Sequence, residues 1–309
     1  MSDDRRVIVT GASGFVGWHL LAPLVARGFE VHAVARRARP DDLGDAAVTW
    51  HEGDLLDPLT RRTLLEAITP SHLVQSAWFL GPGYADSPIN LDWVAASIDF
   101  ARRFQSAGGQ RVVTIGSSFE YEHGRRSLLD ESAPLRPSTV YGAAKQALSI
   151  AMDALARATD LSSAWPRLFD LYGPRENRRR LIADIASSLL DGREVATSEG
   201  RVRRDYMFVA DAGDAIVALL DSEVTGPVNV ATGSAPPVRE LVEIVASVIG
   251  RPKLVQFGAR PTAPTTADEI RADITRLRDE VGWSAVTPTP TGVALTVDWW
   301  RTRLMAARR

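Results

Sequence analysis

Thr10-Gly11-Ala12-Ser13-Gly14-Phe15-Val16-Gly17 sets three glycines three residues apart, between the β-branched run Val7-Ile8-Val9 and an amphipathic segment from about Phe15 to Arg27. No other stretch of the chain constrains the fold as tightly. Glycine allows a sharp turn, close approach of the backbone to a pyrophosphate, and tight packing of a helix on the strand before it; the helix N-terminus then faces the anion with free N–H groups. The spacing and its context predict a strand, a phosphate-binding turn and a helix, in preference to a glycine-rich turn without ligand.

The same alternation continues downstream. Glu30 to Ala35, Val48 to His51, His72 to Ser76 and Arg111 to Ile115 read as strands, and Arg61 to Ile68 and Leu91 to Ala107 as helices. Strands separated by helices of this length predict βαβ crossovers, hence a doubly wound α/β fold with a parallel sheet covered on both faces. A helix from about Ser138 to Thr159 and a strand from Leu161 to Arg167 extend the pattern, after which proline and glycine become more frequent. The expected organisation is a dinucleotide-binding unit over 1–167 plus about 205–230, and a smaller mixed α/β lobe over 168–204 and 231–309. Beyond Arg167 the chain has a strand at Val228 to Val230, a helix from Val238 to Ile249, and loops at Pro261 to Pro264 and Pro288 to Pro290.

With 309 residues the chain is long enough for a substantial core, and its net charge of -2 gives no broad electropositive surface for nucleic acid. It has no cysteine, which excludes disulfides, thiolate metal sites and a cysteine nucleophile, and no metal is implied. Neither a signal peptide nor a membrane span is read from its apolar runs, so a cytoplasmic location is expected.

Lys145 is one of only two lysines, and it lies four residues after Tyr141 in Tyr141-Gly142-Ala143-Ala144-Lys145. Inside a helix that spacing puts phenol and amine on one face, where an ammonium favours phenolate and makes the tyrosine a usable acid and base. Ser118 follows the fifth strand, at the edge where doubly wound folds bind ligands, and its hydroxyl is placed to hydrogen-bond a reacting oxygen. Glu120 reads either as a second acid/base group or as a polar residue at the mouth of the site. At the end of the second strand Arg36 and Arg37 stand where NAD-specific folds place an acid, which favours NADP while leaving NAD possible. Asp54, after the third strand, reads as an acceptor for the adenine amino group or as a plain turn residue. Arg178-Arg179-Arg180 reads as a solvated patch leading into a helix.

Together these residues resemble the extended branch of the short-chain dehydrogenase/reductase family, the nucleotide-sugar epimerases, dehydratases and ketoreductases. The resemblance includes Leu135-Arg136-Pro137, the run Arg167 to Arg175 and the run Arg203 to Asp211. It implies a Rossmann-type nucleotide domain with a C-terminal lobe for a nucleotide sugar, and homodimers formed through two long helices. It also implies dinucleotide contacts from Gly11, Ser13, Gly14, Phe15, Val16, Gly17, Arg36, Arg37, Asp54, Leu55, Ala77, Tyr141, Lys145 and Leu168. Substrate contacts are implied for Ser118, Asp170, Arg204 and Arg260. Three departures accompany it. Asp170 replaces the family's usual asparagine, Phe119 stands where some dehydratases have aspartic acid, and Gln75-Ser76-Ala77-Trp78 replaces His-x-Ala-Ala. Phe119 weakens a dehydratase reading and the paired arginines favour an exchangeable NADP(H). The expectation is therefore reduction of a keto group on a nucleotide-linked deoxysugar, with a 4-epimerase or dehydratase retaining NAD as the alternative. A non-catalytic redox sensor is the reading of a different class.

Overall fold

The computed structural model describes residues 5–37, 47–124, 127–262 and 267–307. Seven strands form its main sheet: β1 (Arg6–Thr10), β2 (Glu30–Ala35), β3 (Val48–Glu52), β4 (His72–Gln75), β5 (Arg111–Thr114), β6 (Ser162–Leu168) and β7 (Gly226–Val230). They are parallel throughout, in the order β7-β6-β5-β4-β1-β2-β3, with the short Gly116–Ser117 segment pairing to the end of β6. Alternation along β1 sends Val7 and Val9 to one face and Ile8 to the other.

Helices α1 (Phe15–Ala26), α2 (Pro58–Ile68), α3 (Ile89–Ser106) and α4 (Val140–Ala158) are followed by α5 (Leu181–Leu190), α6 (Val209–Leu220), α7 (Val238–Ile249) and α8 (Thr289–Ala307). The face with Val7 and Val9 is covered by α1 and α6; the Ile8 face is covered by α2, α3 and α4. A third apolar core joins α5, α7 and α8 around Tyr172 and Phe208. Beside it Asp170–Tyr172 pairs in parallel with Tyr206–Phe208 in a separate two-stranded sheet. No helix among the described residues is long and apolar enough to cross a membrane.

Two element boundaries differ from the sequence reading for local reasons. The second helix begins a turn earlier than Arg61, because the Asp57 carboxylate accepts from the Leu59 and Thr60 amides at 3.0 and 3.1 Å and Pro58 takes the first helical position. Pro288 to Pro290 is not wholly a loop: α8 starts at Thr289, with Pro290 in the first turn where a missing N–H costs nothing. Of the loop expected at Pro261 to Pro264, residues 263 and 264 lie outside the described residues.

Strand order reverses between β1 and β4, which opens a crevice beyond their C-terminal ends. Thr10 joins the two strands there. Its hydroxyl donates to the Val74 carbonyl at 3.3 Å and accepts from the Ser76 and Ala77 amides at 3.0 and 3.1 Å. On the far side of the sheet, buried Arg111 donates to the carbonyls of Leu219, Leu220 and Val224, fastening the end of α6 to β5. Arg111→Met leaves those three acceptors without their cation and should cost about 3 kcal/mol, read as a lower denaturant midpoint at unchanged slope. A loss below about 1 kcal/mol would show that water replaces the guanidinium.

Candidate active site

The glycine turn packs so closely that side chains are excluded. A Cβ at Gly11, whose φ is +64°, would lie 2.8 Å from the Ala77 Cα, and one at Gly17 would lie 2.3 Å from the Gly11 carbonyl oxygen. Gly14 is the N-cap of α1, no side chain caps that terminus, and no acid occupies its first turn. Its unfilled N–H groups therefore face the crevice. Phe15 and Val16 are half-buried, Ser13 is exposed, and Leu168 is buried at the end of β6. Arg36 and Arg37 are both exposed just past β2. Leu55 is buried, whereas Asp54 is exposed and accepts from the Leu56 amide at 3.0 Å, the geometry of a turn aspartate.

Tyr141 and Lys145 share one face of α4, and Gly142 between them lets the helix press on the turn after β5. A Cβ there would lie 2.3 Å from the Phe119 carbonyl oxygen. This contact brings the phenol near the Ser117 side chain. Burial raises the phenol's pKa; the Ser117 hydroxyl opposes that rise, the negative charge of Glu120 adds to it, and the Arg180 guanidinium opposes it. Lys145 is 4% exposed, and its Nζ donates to the Ile115 carbonyl at 2.8 Å. Burial lowers its pKa to about 7. The ring of Tyr141 is enclosed by Trp78, Tyr84 and Phe119, with centroids at 6.3, 5.2 and 5.9 Å, all edge to face.

A second serine stands beside the expected Ser118, and Glu120 is placed differently. Ser117, not read from the sequence, lies near enough to Tyr141 to act on its phenol; Ser118 is buried beside it, and its carbonyl pairs with His123 Nε2 at 2.8 Å. Glu120 is neither at the mouth of the site nor open for proton transfer. It is 0% exposed and accepts from the Ser117 amide at 2.8 Å, the Trp165 indole at 2.9 Å and Arg167 Nε at 2.9 Å. A carboxylate so fully bonded to cationic and N–H donors is a strut beneath the catalytic turn.

On the lobe side, Asp170 lies at the start of its strand with Arg180 and Arg204 in electrostatic reach, both opposing the upward pull of burial on its pKa. These arginines set positive charge against the aspartate that replaces the family's usual asparagine. Arg204 also donates to the Ala267 carbonyl at 3.0 Å and acts on His123. Arg260 is exposed on the turn past Val255–Gln256, its amide bonded to Thr197. Arg178, Arg179 and Arg180 are exposed and Arg180 is the N-cap of α5, as a solvated patch leading into a helix; the charge of Arg180 also acts on Tyr141, Asp170, Glu176 and Tyr206. Glu176 is 4% exposed with one carboxylate oxygen unpartnered, and burial raises its pKa to about 8. A lone glutamate after Gly-Pro-Arg carries no sequence signal for this.

Comparison with known proteins places the arrangement among relatives. Residues 7–231 match the model of the NAD dependent epimerase/dehydratase family. The chain is 28% identical to a UDP-glucose 4-epimerase of Mycolicibacterium smegmatis, over 96% of this chain and 99% of that one. Among solved structures it is similar to the NAD dependent NDP-hexosamine 5,6-dehydratase TunA of tunicamycin biosynthesis, with a TM-score of 0.84, 26% identity and coverage of 97% and 98%. It shares its fold with a UDP-N-acetylglucosamine 4-epimerase from Methanobrevibacter ruminantium, with a TM-score of 0.87, 21% identity and coverage of 98% and 100%.

Two outcomes follow from the buried charges. Glu120→Ala strands Arg167 in the core and should cost about 3–5 kcal/mol of stability, measured by denaturant unfolding; an unchanged midpoint would return Glu120 to a role in chemistry. Lys145 has its pKa depressed from 10.5 in the unfolded chain to about 7 in the fold, so the unfolded state binds more protons between those values. Stability should rise with pH across that window and lose this component as pH falls towards 7, and the difference curve against Lys145→Met isolates it. Parallel curves for the two proteins would mean that Lys145 is not held in a dry site.

Proposed function

The chain belongs to the NAD dependent epimerase/dehydratase family and is a nucleotide-sugar enzyme of the short-chain dehydrogenase/reductase type; from that premise we propose that it reduces the keto group of a nucleoside diphosphate 4-keto-deoxysugar. The observation that carries this reading is that the groups set against the Tyr141 ring offer no second acid. Phe119 sets a phenyl ring against Tyr141 where an elimination needs a second acid, and Glu120 is bound into an ion pair. What remains is a half-buried phenol whose raised pKa keeps it protonated and ready to donate.

The cradle at Gly11, Gly14 and Gly17 fits a dinucleotide, since it is closed to a Cβ at Gly11 and Gly17 and ends on an uncapped helix. Ser13, Phe15, Val16, Leu55, Ala77 and Leu168 would line it, and the exposed Arg36 and Arg37 suit the 2′-phosphate of NADP(H). Bound there, the nicotinamide supplies the hydride. Tyr141 then delivers the proton to the carbonyl oxygen, Ser117 and Ser118 orient that oxygen, and Lys145 binds a ribose diol and steadies the phenol. Arg204, Arg180 and Arg260 meet the diphosphate, with Asp170 and Glu176 turned to the sugar. Within this reading the dinucleotide unit spans 1–167 plus about 205–230, and copies of the chain pair through α3 and α4, which expose Leu91 and Ile150. Sedimentation at micromolar concentration tests the pairing.

The second reading is a 4-epimerase that retains NAD, favoured by the name of the Mycolicibacterium relative. Mass spectrometry of the denatured protein separates the two: tightly held NAD supports the epimerase, while an empty protein that binds added NADPH better than NADH supports the reductase. Replacing Arg36 and Arg37 together by Ala should erase most of that preference. Tyr141→Phe should lower kcat about 100- to 10,000-fold with dinucleotide affinity changed less than about threefold. Turnover surviving that substitution would overturn the assignment.

A further inference from the structure

Trp78 stands where the family resemblance leads one to expect a small residue, and the structure shows what the indole does there. Lys145 Nζ lies 3.7 Å from the centre of the Trp78 ring, close enough for a strong cation–π contact, while the same nitrogen donates to the Ile115 carbonyl at 2.8 Å. The ring is itself fixed. Its Nε1 donates to Asn90 Oδ1 at 2.7 Å, and Asn90, fully buried, donates from Nδ2 to the carbonyls of Tyr84 and Ser87 at 2.7 and 2.8 Å. One edge meets Tyr141, and the Trp93 ring packs against it with centroids 6.1 Å apart. The bracket that orients the indole therefore also places Tyr84, whose ring sits 5.2 Å from that of Tyr141.

We propose that Trp78 is a positioning residue for the catalytic pair: its indole face holds the Lys145 ammonium in place between the Ile115 carbonyl and Tyr141, so that the amine is set for the dinucleotide ribose before any ligand arrives. This rests on the reading of Lys145 in the proposed function. An ammonium on a four-carbon stem has many rotamers, and burial alone does not choose among them. Two directed contacts do. Leucine at this position would keep the apolar volume and lose the π face, whereas phenylalanine would keep a weaker one.

The chain has two lysines, Lys145 and Lys253, so labelling lysine with 13C at Cε gives two side-chain signals, assigned by Lys145→Met. In the ligand-free protein the Lys145 methylene protons should lie upfield of those of Lys253, from the indole ring current. Trp78→Leu should move them back towards the Lys253 position. Titration with NADPH supplies the second readout. Trp78→Leu should weaken binding about tenfold in the parent protein and less than twofold in Lys145→Met, with Trp78→Phe in between. A Lys145 signal that ignores Trp78→Leu, or an equal loss of affinity in both backgrounds, would show a merely structural indole and overturn the proposal. Should Trp78→Leu not fold, Trp78→Phe run through the same cycle decides it. Turnover surviving Tyr141→Phe would sink the proposed function while leaving these ligand-free measurements as they stand.

Discussion

Glu120 and Arg167 form the buried pair on which the site is built. The carboxylate collects N–H groups from the catalytic turn and from β6, and Arg167 passes the connection on through its bonds to the Tyr121 hydroxyl and the Glu131 carbonyl, both at 3.1 Å. Tyr121 donates to Asn229 Oδ1 at 2.7 Å, and Asn229 Nδ2 reaches the carbonyls of Leu129 and Asp273. One polar network thus joins the ends of β6 and β7 to the turn after β5 and to the C-terminal segments. Burying two charges is costly, and the cost is offset because each remaining donor and acceptor finds a partner. The same closeness explains Gly116, where a Cβ would lie 2.2 Å from the Trp165 indole nitrogen.

Above that network burial acts on both members of the Tyr141–Lys145 pair. Burial pushes the Tyr141 phenol up and the Lys145 amine down, so near neutral pH the fold holds a protonated phenol beside an amine poised between its two forms. Both shifts have the same leading cause, burial, and around Tyr141 an aromatic wall of Trp78, Tyr84 and Phe119 contributes to it. Where Trp78 also supplies a π face, that wall discriminates among positions of the ammonium as well as shielding it. The reading of a donor rather than a base at Tyr141 is a consequence of this enclosure.

What was legible in the chain was whatever depends on short spacing. The glycine turn, the βαβ alternation and the four-residue step from Tyr141 to Lys145 each follow from local geometry, because turns, strand periods and helix faces are set within a few residues. Asp57 and Pro58 carried the true start of α2 in the same local language, although the apolar pattern from Arg61 pointed later. The departure at Trp78 was visible as a departure, without a meaning.

Long-range neighbours were decided by the tertiary structure alone. Whether Glu120 meets solvent or Arg167, which serine lies near the phenol, and which carboxyls the charge of Arg180 acts on all depend on which segments the fold brings together across tens of residues. A carboxylate, a hydroxyl and a guanidinium have the same letters in either place. Burial and partners give them their chemistry, and those are properties of packing, which no short window of sequence contains.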